Sequence, residues 1–287
     1  MELPRPLLDH NRSRPDWISS LPQLIADLER RWRIRVGPPF PHIVMNFVAP
    51  AEHDARGPCV LKVSPYVDET LNEIAALAFW RGEGAARLLE ADGSLGALLI
   101  ERIQPGTDLS NLSDDEAMEI CAGLLSRLWL PAADEGLRPL SSWFAAYDRY
   151  GRGDGSRVPN SIFDTANRTL SELIESTAEP LALHGDLHHF NVLRSDRAGW
   201  IAIDPKGLYG DRHFDVCQFL RNPHPVSPEV NERRLGRLCE LLGLERGRAR
   251  RWCFVHAVLD ALWECEEGND PTASLGYADQ FLPRGAS

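Results

Sequence analysis

The run HGDLHHFNVL, His184–Leu193, sets a carboxylate, Asp186, and an amide, Asn191, five residues apart among His184, His188 and His189. LALH leads into it and NVLR leads out, two short apolar runs that read as strands. WIAIDPKG, Trp200–Gly207, adds a third strand that ends on a second carboxylate, Asp204. Asp186 and Asn191 therefore fall on a loop between strands, and Asp204 at the end of the strand that follows.

Working outward, the N-terminal side is strand-rich. Ile18, Leu21, Leu24, Ile25 and Leu28 recur at helical spacing, which predicts an amphipathic helix over Trp17–Trp32, closed by the prolines at 38, 39 and 41. His42–Ala51 and Cys59–Ser64 read as a hairpin about a polar turn. Asp68 is the expected N-cap of a helix running to about Trp80. RLLEA and ALLIERI make a second hairpin across DGSLG. From Gln104 the character changes: PGTDLSNLSDDE reads as a loop, followed by helical periodicity up to Leu130, over Trp143–Tyr150, over Ile162–Ser176 (stopped by Pro180), and again over Val216–Leu220, Pro228–Leu242 and Arg248–Glu267, with an irregular tail after Pro271. This is an α+β chain, with a β-rich domain over residues 1–103 and a helix-rich domain over 104–287 joined at a hinge, Gln104–Gly106. Such a division offers a cleft for a small molecule.

Composition narrows the function classes. In 287 residues no apolar run is long enough to cross a membrane, and the N-terminus carries no secretory signal. The six cysteines are scattered without a Cys-x-x-Cys pair, the usage of reduced thiols in a cytoplasmic protein. A net charge of −11 disfavours nucleic acid as a partner and suits a cationic small molecule. Of 31 basic residues only Lys62 and Lys206 are lysines. In a chain that uses arginine everywhere else, these mark places where a compact point charge is needed and a planar fork does not serve.

Lys62 lies in the second strand of the first hairpin and Glu73 in the middle of the next helix. Together with Asp186, Asn191 and Asp204 they form a set suited to moving the terminal phosphoryl group of a nucleotide, a reaction that needs positioning and charge neutralisation. Asp204 and Asn191 offer hard oxygens to magnesium, Lys62 a point charge to the phosphates, and Glu73 a partner that holds the lysine. Asp186 can accept or orient the proton of an attacking hydroxyl.

LALHGDLHHFNVL with WIAIDPKG, supported by VLKVSP, NEIAAL, GALLIERIQPGT and FDVCQFLRNP, resembles the aminoglycoside phosphotransferase family, nearest its branch of streptomycin kinases and hydroxyurea-resistance kinases. The resemblance covers most of the chain. It implies a two-lobe protein-kinase-like fold and an ATP- and magnesium-dependent phosphotransferase with an alcohol acceptor, an aminoglycoside such as streptomycin first. It implies Asp186 as catalytic base, Asn191 and Asp204 as metal ligands, and Lys62 with Glu73 at the phosphates. Backbone groups of Glu101, Arg102 and Ile103 would meet the adenine, and His184 would brace the loop.

On the acceptor side the candidates are His188 or His189, Lys206, Trp263, Glu266 and Glu267, with Asp260 and Glu264 completing an anionic wall. Lys206 could equally pair with Asp204 or Asp211, and Asp215 would brace the loop through a helix N-terminus. One departure stands out: the candidate turns of the first hairpin, GPPFPHIVMN and PAEHDARGP, carry one glycine each and no Gly-x-Gly-x-x-Gly. That leaves open which backbone amides hold the phosphates and whether GTP serves in place of ATP. A metabolic kinase of a sugar or amino alcohol and a nucleotide-binding pseudokinase are the alternative readings. Monomer and dimer are equally compatible with the sequence.

Overall fold

The computed structural model describes residues 2–133, 136–150, 157–223 and 226–282. It contains two compact units: Met1–Thr107 with Leu193–Asp204, and Asp108–Val192 with Pro205–Ser287. This differs from a division at 103/104, because the first unit reaches Thr107 and also takes back the segment that ends on Asp204.

The first unit opens with helices α1 (Arg5–His10) and α2 (Pro15–Trp32), followed by strands β1 (Ile34–Val36), β2 (Phe47–His53) and β3 (Gly57–Val63), helix α3 (Val67–Trp80), and strands β4 (Leu88–Asp92) and β5 (Ala97–Glu101). The five strands form one sheet in the order β1-β2-β3-β5-β4, every pair antiparallel. Leu21, Ile25, Leu28 and Trp32 form the buried stripe of α2, and they meet Phe47, Ala49, Ala51, Cys59, Leu61 and Val63 on one face of the sheet. Alternation along β3 turns Lys62 to the opposite face.

Several local expectations shift. The long helix ends at Trp32 as expected, but it is stopped by the left-handed backbone of Arg33 (φ 54°) just ahead of β1 rather than by the prolines. The strand expected from His42 begins only at Phe47. Ahead of it the carbonyls of Val44 and Met45 accept hydrogen bonds from the buried Asn11 side chain (3.4 and 3.1 Å). Helix α3 starts at Val67 without a side-chain cap, so Asp68 sits in its first turn, where a carboxylate still favours the helix dipole.

The second unit carries α4 (Asp114–Leu128), β6 (Arg138–Pro139), α5 (Ala145–Arg149), α6 (Asn160–Glu175) and β7 (Leu181–Leu183). The chain next forms the β8 (Val192–Ser195) and β9 (Gly199–Ala202) pair, nearly all of it in the first unit. The second unit resumes with β10 (Leu208–Gly210), α7 (Cys217–Arg221), α8 (Pro228–Leu242), α9 (Arg246–Glu266) and α10 (Thr272–Phe281). Ser113 and Glu116 form a reciprocal capping box that starts α4. Helix α6 stops at Glu175, ahead of Pro180. Helix α9 is buried continuously from Trp252 to Leu259, and α5, α6, α8 and α10 pack around it. The tail expected to be irregular after Pro271 is thus helical as far as Phe281; residues 283–287 lie outside the described residues. Strand β10 pairs antiparallel with β7 and parallel with β6, which carries the chain after Asp204 back beside the loop of Asp186. Among the described residues no helix is long and apolar enough to cross a membrane.

Candidate active site

In the first unit three of the expected residues come together. Lys62 Nζ lies 2.6 Å from Glu73 Oε2 and also pairs with Asp204 Oδ1. Lys62 is 9% exposed and Glu73 5%, so the ammonium is held away from water by its carboxylates. Removing one partner of such a pair leaves an uncompensated buried charge, a cost of about 3–5 kcal/mol. Asp204 adopts a left-handed backbone (φ 60°), uncommon outside glycine and concentrated at functional positions.

The backbone expected to meet the adenine is partly taken up by the sheet. The N–H of Glu101 donates to Arg87 O (3.0 Å) and that of Arg102 to Pro58 O (3.2 Å). This removes two of the three amides and leaves Ile103 as the N–H to consider. The Glu101 side chain is occupied as well: it accepts from Arg197 Nε (3.1 Å) and Nη2 (2.5 Å) and from the Arg87 N–H (2.9 Å).

In the second unit the loop of Asp186 is held by a carboxylate behind it. Buried Asp215 accepts from the N–H of His184 (3.0 Å), the N–H of Gly185 (2.7 Å) and the indole N–H of Trp129 (3.0 Å). The bracing is therefore direct, and Asp215 itself lies in a short 3-10 turn rather than acting through a helix N-terminus. Burial pushes its carboxyl up to about 6 against those three donors, with the Asp186 charge adding to the rise. His184 is fully buried, and its Nδ1 accepts from the Asp186 N–H (3.3 Å), the local bracing expected of it.

Asn191 donates from Nδ2 to the Asp186 carbonyl (3.0 Å), which fixes the amide and leaves its carbonyl oxygen as the atom to offer a cation. His188 Nε2 lies 3.2 Å from Asn191 Nδ2 and 3.8 Å from Asp186 Oδ1, while its Nδ1 accepts from the Phe190 N–H (3.3 Å). His188 thus belongs to the Asp186 cluster. His189 does not: it is buried and stacked on Phe219 at 4.3 Å, with burial and then the Arg234 charge pulling it down to about 4. It has no open face for an acceptor.

Lys206 settles in a place the sequence did not suggest. Its Nζ is 3.2 Å from Asp186 Oδ2, so it pairs with the carboxylate expected to act as base. Asp211 is engaged elsewhere, by Arg248, His213 and Trp252.

The expected anionic wall is largely compensated. Glu266 forms a two-point pair with Arg149 (both 3.0 Å), Asp260 pairs with Arg221, and Glu264 accepts from Ser274 (3.0 Å). Glu267 is exposed and accepts from Asn269 (3.0 Å). Trp263 and Trp143 meet in a T-shaped pair, ring centres 5.4 Å apart and planes nearly perpendicular. The Lys206–Asp186 and Trp129–Asp215 contacts escaped sequence reasoning. The scarcity of lysine flagged Lys206 but not its partner.

A lysine–glutamate pair on a strand and helix, with an Asp-x-x-x-x-Asn loop and a further Asp in a fold of this topology, defines a protein-kinase-like phosphotransferase. The family model described as aminoglycoside/hydroxyurea antibiotic resistance kinase matches residues 45–268, and the chain belongs to that family. It is 37% identical to a hydroxyurea phosphotransferase of Kitasatospora aureofaciens, over 94% of this chain and 81% of the relative. It is 35% identical to a streptomycin 6-kinase of Streptomyces glaucescens, over 90% of this chain and 88% of the relative. The fold is similar to that of a thermostable mutant of aminoglycoside phosphotransferase APH(4)-Ia in a ternary complex with ADP and hygromycin B. There the TM-score is 0.63 at 16% identity, over 91% of this chain and 98% of that one.

Proposed function

We propose that this kinase is a cytoplasmic enzyme that transfers the γ-phosphoryl group of ATP to a hydroxyl of a cationic aminoglycoside-type antibiotic, streptomycin first, with the N-hydroxyl of the small neutral molecule hydroxyurea as the second candidate acceptor. The observation that carries the proposal is the loop of Asp186. Its carboxylate stands beside Lys206 and His188 and its backbone is pinned by Asn191 and Asp215, the setting of a group that orients and deprotonates an attacking alcohol. Relatives named for streptomycin and hydroxyurea supply the acceptor candidates. The net charge of −11 suits a cation and offers nothing to nucleic acid.

Magnesium fits the donor set. Asp204 and Asn191 bring a carboxylate and a neutral carbonyl oxygen. Among the described residues no three His, Cys, Asp or Glu side chains gather into a cage, and magnesium needs none when phosphates and waters complete its shell. When bound, the ion supplies charge neutralisation at the phosphates. Lys62, held by Glu73, offers its ammonium to the same anion, and the Ile103 amide is the adenine donor still open. Six free cysteines, five of them buried, suit a reducing compartment.

The test is Asp186→Ala. Turnover of streptomycin with magnesium-ATP should fall by about 1,000-fold or more, while magnesium-ATP affinity measured by titration calorimetry stays within a few-fold of wild type. Undiminished turnover would overturn the role of Asp186.

A further inference from the structure

Both lysines of an arginine-rich chain lie on carboxylates of the candidate site, yet only one of them has a role in the scheme above. Lys206 stands on the turn after β9, between Pro205 and Gly207, and its backbone N–H donates to the His184 carbonyl (2.8 Å). That bond ties the turn to the loop of Asp186. The lysine stem then runs along Gly185, whose backbone is left-handed (φ 82°). A Cβ added at Gly185 would come within 3.0 Å of Lys206 Cβ and 2.9 Å of Leu208 Cδ1. The glycine in His-Gly-Asp therefore makes room for the lysine in Asp-Pro-Lys-Gly. The stem ends with Nζ 3.2 Å from Asp186 Oδ2, both side chains about one-fifth exposed (24% and 19%).

From this geometry we infer that Lys206 is a positioning residue for the phosphoryl transfer, acting through Asp186, and that it must be a lysine. The inference rests on Asp186 being the base. The ammonium holds Oδ2, so the carboxylate is fixed in rotation with Oδ1 turned to the side of His188, whose Nε2 at 3.8 Å lies beyond hydrogen-bond reach. Oδ1 is the oxygen presented to the acceptor hydroxyl. The stem atoms beside Gly185, Cβ and Cγ, are common to lysine and arginine, so the difference lies at the head, where an ammonium makes a single-point contact with Oδ2. A planar guanidinium is wider and would grip both carboxylate oxygens at once, taking up the one the hydroxyl needs.

The experiment is steady-state kinetics of Lys206→Met, Lys206→Gln and Lys206→Arg, with the double variant Lys206→Met/Asp186→Ala, using magnesium-ATP and streptomycin or hydroxyurea as acceptor. Two neutral variants are made so that a folding failure in one still leaves a reading. The expected result is a fall in kcat of about 100-fold in Lys206→Met and Lys206→Gln, with KM for ATP within about threefold. Lys206→Arg should not restore the rate, and the double variant should be no slower than Asp186→Ala alone, the signature of two residues acting as one unit. Wild-type kcat in the neutral variants or in Lys206→Arg, or losses that multiply in the double variant, would overturn the inference. Wild-type protein inactive on both acceptors, or normal turnover in Asp186→Ala, would instead bring down the reading on which it rests.

Discussion

The two units hold their candidate functional residues by different means. In the first, Lys62 sits on a central strand and Glu73 on a packed helix, and their contact is an ion pair between two buried side chains on regular elements. In the second, Asp186 sits on a loop between short strands, and its position comes from hydrogen bonds to loop backbone, chiefly those accepted by Asp215 behind it. A sheet places a side chain by alternation and register, so its position follows from the ladder. A loop has no ladder, and every amide that turns inward needs a separate partner. The contrast teaches that a point substitution should act on the strand-borne residues through charge and on the loop-borne residues through geometry.

The sharpest way to break this contrast is Lys62→Met. It removes the charge proposed to meet the nucleotide and leaves Glu73 buried without its ammonium. KM for ATP should rise and kcat should fall by about 100-fold, with Glu73→Gln showing a smaller loss of the same kind. If Lys62→Met instead changed kcat alone, as expected for Lys206→Met, the two lysines would not divide between nucleotide and base as described.

A smaller effect separates the units by pH. In the second unit His256 is fully buried, and burial, then the Arg221 charge, pulls it down to about 3; the opposing carboxylate, Asp260 Oδ2 at 3.3 Å from its Nδ1, is already paired with Arg221. The folded pKa of His256 lies below the unfolded value near 6.5, so between those values the unfolded chain binds a proton that the native chain does not. Stability is then lost as pH falls from about 6.5 toward 3. From pH 7 to 5 this group should cost about 2 kcal/mol, measured by urea unfolding, and His256→Gln should flatten that part of the slope. An unchanged slope in the variant would mean that the acid response comes from elsewhere.

Much of this molecule could be read along the chain. The β2–β3 and β4–β5 hairpins, α3, α8, the loop of Asp186 and the strand leading to Asp204 all follow from local periodicity and turn residues. The Lys62–Glu73 pair was expected from the phosphoryl-transfer set and the family resemblance, with the strand and helix only placing the two residues. What escaped depends on partners distant in sequence. Strand β1 is three residues long and exists because it pairs with β2. Strand β10 is assembled between β6 and β7. Helix α10 has no side-chain cap, contains Gly276, and buries the small Ser274 and Ala278 with Phe281, so α9 rather than its own propensity holds it. The anionic wall looked open because Arg149 and Arg221, which pair with Glu266 and Asp260, lie far from them in the sequence. The amides expected to meet the adenine looked equivalent until the sheet claimed those of Glu101 and Arg102.

The measurement that bears most directly on the central claim is ADP release by the purified protein with magnesium and ATP, across streptomycin, other aminoglycosides, hydroxyurea and simple sugar alcohols. The account predicts release stimulated by streptomycin or hydroxyurea and near background with the sugar alcohols. Stimulation by a sugar alcohol alone, or by no compound in the panel, would contradict it.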